Sequence, residues 1–217
     1  PLKAKHGNAI ATFPGLYTKV AKVYDARFDS DLNDEQIRLV ERQHLDLVRA
    51  GARFSDSEKK EYGDLMAELA VKCTAFEQNV MKDESECIVL SKEDLSGCPE
   101  SLVGAAKEAA KANGKSGDDE YVITLSRSLV EPFLTFSDRR DLREKAWRAW
   151  TKRGELDPVN RNNKEVAESI LKLRQKQAIM HGCESFGHDQ CEDMMAKTPE
   201  KVMELLENVW SKACLSA

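Results

Sequence analysis

At 217 residues the chain is long enough to bury a core of its own, in one or two domains. Its 33% charged and 41% hydrophobic residues are those of an ordinary soluble globular protein, and a net charge of −5 excludes a general nucleic-acid binder, which needs a basic face to displace counterions. No apolar run approaches the roughly 20 residues of a membrane span, so no membrane partner is expected.

In chain order, residues 1–14 carry little pattern and Pro14 ends them. From Gly15, the spacing of Leu16, Tyr17, Val20, Tyr24 and Phe28 predicts a short amphipathic helix, followed by a turn over Asp29–Leu32. Asn33 and Gln36 write a capping box for the next helix. Ile37, Val40, His44, Leu47 and Val48 share one of its faces. Gly51 supplies a left-handed stop, and Ser55 with Glu58 writes a second capping box. A long stripe then runs through Tyr62, Leu65, Met66, Leu69, Cys73, Phe76 and Val80 to Lys82. The short connection predicts that these two helices fold back on each other as an antiparallel pair, with the 16–28 helix lying against them.

The character changes at Glu86. Cys87–Leu90 is a short β-type run, Ser91–Asp94 starts a one-turn helix, and Pro99 opens a helix that Gly114 stops. Tyr121–Leu125 is a second strand, predicted to pair with the first across the helical excursion as a small antiparallel sheet. Pro132 constrains residues 126–136. Ser137 is placed to cap a helix over Asp138–Arg153, with Leu142, Ala146 and Trp150 on its inner face. Asp141/Lys145 and Glu144/Arg148 are its supporting ion pairs. Asn162 or Asn163 opens a further helix carrying Val166, Ile170, Leu173 and Ala178, ended by Gly182. A shorter one falls within Ser185–Met195. Thr198-Pro199-Glu200 starts the last, which carries Val202, Leu205, Leu206, Val209 and Trp210. The fold class is therefore mainly α with a small two-stranded antiparallel sheet, in three stretches: 1–83, 84–136 and 137–217.

The stretch LVERQHLDLVRAGARFSDSEKKEYGDL resembles the corresponding part of the M3 zinc metallopeptidases, the thimet oligopeptidase and peptidyl-dipeptidase group. Its R-x-G-A turn into S-x-x-x-K is closest to the bacterial-type peptidyl-dipeptidases. The order of a strand, L-x-G-x-P, a helix and Y-x-I-T-L follows the M3 layout, and the likeness continues to about Trp210. What the resemblance implies is a two-lobed helical shell around a channel that admits short oligopeptides. Zinc is held there by H-E-x-x-H, whose Glu is the general base. That motif is absent: the four histidines continue as His6-Gly, His44-Leu, His181-Gly and His188-Asp.

The expectation is thus an interior piece from the non-catalytic lobe of a cytoplasmic peptidyl-dipeptidase. It has no catalytic, cofactor-binding or metal residue of its own, binds no zinc, and is inactive alone. The alternatives are an endo-acting oligopeptidase of the same family and a stand-alone helical binding module.

Three constellations carry structural roles more readily than chemical ones. His181-x-Cys183 and His188-x-x-Cys191 offer zinc-type donors, but not in the spacing of a finger, and M3 sequences hold no metal there. Arg139, Arg140, Arg143, Arg148, Lys152 and Arg153 form a basic cluster, yet the interleaved Asp141 and Glu144 predict a solvated, ion-paired helix. His44 reads as a hydrogen-bonded core histidine. Cys73 and Cys87 read as small apolar side chains, and the six cysteines follow no disulfide framework, which fits a reducing compartment. The apolar last helix is expected to drive self-association.

Overall fold

A computed structural model describes residues 2–155, 157, 159 and 162–216. Ten helices and two strands are seen among them: α1 Leu2–Ala11, α2 Leu16–Asp25, α3 Asp34–Arg49, α4 Asp56–Glu84, β1 Cys87–Leu90, α5 Glu100–Ala112, β2 Tyr121–Thr124, α6 Arg127–Phe136, α7 Arg140–Thr151, α8 Asn163–Met180, α9 Phe186–Cys191 and α10 Pro199–Ser216. They gather into two compact units, Pro1–Lys72 with Ser169–Ala217, and Cys73–Glu168.

The first unit is built on helix ends whose chemistry is local. The Asn33 side chain accepts from the Gln36 N–H at 2.9 Å, and the Asn33 N–H donates to Gln36 Oε1 at 3.0 Å. α3 ends in a Schellman motif: Gly51, at φ 86°, donates to Val48 O, and Ala52 donates to Leu47 O. Ser55 and Glu58 then cap α4 reciprocally. The expected α3/α4 hairpin needs correcting in one respect: the closest helix pairing here is α2 on α3. Tyr17 and Tyr24 of α2 enclose His44 of α3, Tyr24 stacked at 4.0 Å and the Tyr17 hydroxyl 3.4 Å from Nε2. Aromatic stacking holds α2 and α3 together more closely than the aliphatic stripe holds α3 to α4. Phe28 lies beyond the end of α2 and is exposed.

Residues 2–11, where no element was expected, are helical. Their hydrophobic pattern is too weak to register, but Gly63 of α4 leaves room for Asn8; a Cβ there would stand 2.8 Å from Asn8 Nδ2. α1 is thus admitted by a neighbour's missing side chain, a signal that lies far away in sequence.

The second unit holds the apolar core. β1 and β2 pair antiparallel with Cys87 opposite Thr124 and Leu90 opposite Tyr121. β1 alternates, Ile88 and Leu90 inward and Val89 out, whereas β2 is buried on both faces because α5 and α6 pack against it. Ile88, Leu90, Ile123, Val130, Phe133 and Ala146 lead the cluster, with Leu142 and Trp150 against its edge. Pro99 is the residue before α5 rather than its first member.

The 126–136 stretch forms α6 with Pro132 inside it. A proline there removes one backbone N–H and crowds the preceding turn. The complete burial of Val130 and Phe133 outweighs that cost. Ser137 does not cap α7 directly: the cap position is Arg139, whose N–H donates to Ser137 Oγ, and the helix starts two residues late. At the other end Gly154, at φ 89°, donates its N–H to the fully buried Asp83 carboxylate at 2.7 Å.

Candidate functional site

A polar constellation lies in the first unit, where the end of α3, the start of α4, the end of α8 and α9 meet. Tyr62, on the α4 stripe, is 3% exposed. Its hydroxyl donates to the Arg49 carbonyl at 3.0 Å, so its single proton is spent there. His181 Nε2, 3.2 Å from the same oxygen, must therefore be the protonated nitrogen and donate to it; Gln177 approaches at 3.5 Å. Phe54 packs at 5.2 Å from both the Tyr62 and His181 rings.

Arg49 reaches across to α9, donating through Nη2 to the Asp189 carbonyl at 2.7 Å and standing 3.5 Å from Asp189 Oδ2. Asp189 is also 3% exposed, and Gln190 donates to its Oδ2 at 2.9 Å. Ser185 fixes α9 locally: its Oγ accepts from the His188 N–H and lies 2.9 Å from His188 Nδ1. Beside these groups opens a cavity of about 370 Å³, lined by Arg49, Tyr62, Met66, Gln177 and Asp189, with Gly7 and Asn8 of α1 at its edge.

Burial raises the Tyr62 pKa and lowers that of His181 despite the nearby Asp189 and Glu192 carboxylates, so both are neutral at pH 7. Burial between the two tyrosines lowers the His44 pKa likewise, with Arg53 adding to the effect. In each case the unfolded chain binds the proton more readily than the folded one. Stability is therefore full above about pH 6.5 and falls as the pH drops below it. The expected result is a urea midpoint that declines with acidification below that point and declines less steeply in His181→Asn; equal slopes in both proteins would refute it.

No hydrolytic chemistry follows from this arrangement. Tyr62 and His181 are hydrogen-bonded to each other and to backbone, and neither activates a nucleophile. The sequence placed Tyr62 on an apolar stripe and His181 among metal donors; Asp189 was not singled out, because one acid in an acid-rich chain carries no pattern. Instead of converging on one centre, His181 turns to Tyr62 and His188 to Ser185. Among the described residues no group of three or more His, Cys, Asp or Glu side chains is placed to hold a metal ion.

Three members of the basic cluster, Arg139, Arg148 and Arg153, are ion-paired. Arg139 joins Asp94 at 2.7 Å and takes both Asp141 oxygens at 3.0 and 2.8 Å; Arg148 meets Glu144 at 2.7 Å. Asp141 was expected to pair with Lys145. The planar fork of Arg139 satisfies both of its oxygens and holds its carboxyl down at about 2. Arg143 donates to the Ser137 carbonyl, and Arg153 to Glu84 and to the Leu125 and Trp150 carbonyls, which ties α7 to the sheet.

The molecule so far is a helical scaffold with a small sheet. Residues 133–215 match the model of peptidase family M3. Over 98% of the chain it is 27% identical to oligopeptidase A of Salmonella typhimurium, and over 89% it is 28% identical to dipeptidyl carboxypeptidase of Escherichia coli. A mitochondrial intermediate peptidase of Lodderomyces elongisporus is 24% identical over 93%. The chain is thus similar to these peptidases along nearly its whole length, as its R-x-G-A and Y-x-I-T-L stretches indicate. It spans between about a quarter and a third of the length of these relatives, 32%, 28% and 24% respectively. The expected leaning towards peptidyl-dipeptidases finds no preference, since the oligopeptidase and the carboxypeptidase are equally similar.

Proposed function

We propose that the chain is a non-catalytic, channel-shaping part of a zinc-dependent M3 peptidase that hydrolyses short oligopeptides. One observation carries this reading: similarity to M3 peptidases over almost every residue of a chain that contains no H-E-x-x-H. In a metallopeptidase the general base and the metal-polarised water lie on that motif, so chemistry must be supplied by polypeptide outside these 217 residues. What this chain contributes is a packed core and helix ends locked by capping, a rigid wall beside a peptide channel.

Within that reading we place the protein with the peptidyl-dipeptidases of the cytoplasm. The equal identity to an oligopeptidase A supports an endo-acting enzyme as the second reading. The decisive observation is a reading frame that continues beyond residue 217 into H-E-x-x-H; a stop there would make the chain a stand-alone module. The full-length protein, given peptides with free and amidated C-termini, separates the two specificities. A peptidyl-dipeptidase requires the free carboxylate, and an endopeptidase does not. The 217-residue chain is expected to leave a quenched-fluorescent peptide intact with added zinc. Chelator-sensitive cleavage by it would refute the assignment.

A further inference from the structure

We propose that the cavity beside Arg49 and Asp189 binds a free α-amino acid as its zwitterion, a site independent of the peptidase reading. Both charged groups are held at one end and open at the other. Asp189 receives Gln190 and Arg49 on Oδ2, and among the described residues nothing donates to its Oδ1. Among those residues the enclosed side-chain polar atom without a partner is Trp150 Nε1, so Asp189 Oδ1 keeps some accessible surface, on a residue that lines the cavity. Arg49 spends Nη2 on the Asp189 carbonyl and carboxylate, and among the described residues no acceptor meets its Nε or Nη1. A buried carboxylate with an open oxygen calls for a cationic donor, and a guanidinium with open N–H groups calls for an anionic acceptor.

The two open positions belong to side chains that touch, Arg49 Nη2 lying 3.5 Å from Asp189 Oδ2, and both residues line the cavity. An α-amino acid carries ammonium and carboxylate on one carbon and meets both at once. A dipeptide separates its termini by a peptide unit, with Cα atoms about 3.8 Å apart, and so reaches one group or the other. The amides of Asn8, Gln177 and Gln190 offer further hydrogen bonds, and Met66 and Ala50 give an apolar wall for a side chain. A volume of about 370 Å³ is at the small end of the range of about 300–1,000 Å³ for ligand pockets, which suits one amino acid.

The test uses the full chain and calorimetric titration with L-leucine, L-leucinamide, N-acetyl-L-leucine and L-leucyl-L-leucine. Leucine is expected to bind, and the three analogues, each with one charge removed or displaced, to bind about tenfold more weakly or worse. Glycine and glutamine in place of leucine probe the same two charged groups with other side chains. Asp189→Asn and Arg49→Met are expected to abolish binding. Because either variant can lose its fold, the analogue series on the unaltered chain is the deciding arm. No heat from any amino acid at millimolar concentration, equal affinity for leucine and leucinamide, or tighter binding of the dipeptide would each overturn the proposal.

Discussion

Gly51→Val is expected to cost the fold on the order of 1–3 kcal/mol in backbone strain, before any clash is counted. Gly51 sits at φ 86°, where a β-branched residue is a genuine outlier. Space adds to conformation. A Cβ at this position would stand 2.8 Å from Phe54 Cδ2 and 3.0 Å from Tyr62 Cδ1. Phe54 is half-buried and has some freedom to turn, but Tyr62 is fixed by its hydroxyl bond to the Arg49 carbonyl. Relieving the second contact therefore breaks the joint on which Arg49, His181 and Gln177 converge, and overpacking of this kind costs about 1–3 kcal/mol more. Urea unfolding measures the sum. Gly51→Ala carries the same Cβ, so most of the loss is expected there too, with the β-branch adding the rest. A midpoint for Gly51→Val within error of the unaltered chain would mean that α3 does not end in the left-handed turn.

Trp210→Ser is expected to abolish or sharply weaken self-association of the 217-residue chain. α10 has no buried residue, and Met203, Leu205, Leu206, Val209, Trp210 and Leu215 are each half exposed or more, Trp210 by 71%. Apolar surface returns about 25 cal/mol per Å² on burial, and contiguous bare patches of several hundred Å² are rare on monomers. A second copy is the occupant that fits. The charges of α10 are uneven, with Glu200, Glu204 and Glu207 outnumbering Lys201 towards its start and Lys212 alone near its end. Two copies laid antiparallel bring the acidic half of each against the basic end of the other. Sedimentation equilibrium is expected to show a concentration-dependent dimer for the unaltered chain and a monomer for Trp210→Ser at the same loading. A strict monomer for both, with no hydrophobic dye bound, would instead favour a self-sufficient module.

Which elements exist was legible wherever a single turn of backbone carries the cause. The boxes at Asn33/Gln36 and Ser55/Glu58 and the stops at Gly51, Gly114 and Gly182 needed only neighbours a few residues away. Capping and left-handed φ are local physics, and a sequence states them directly. The M3 relationship was legible for another reason: it lies in ordered residues rather than in any energy.

Tertiary structure decided what rests on contacts distant in sequence. α1 needed Gly63 to admit Asn8, and α6 keeps Pro132 because Val130 and Phe133 are wholly buried. The pairing of α3 with α2 was settled by His44 between two tyrosines. Arg49 and Asp189 stand 140 positions apart, Tyr62 and His181 119 apart, and nothing in either neighbourhood names the other. A chain announces its helix ends because each is closed by its own neighbours; it does not announce a polar joint, because the partners meet only when the helices are packed.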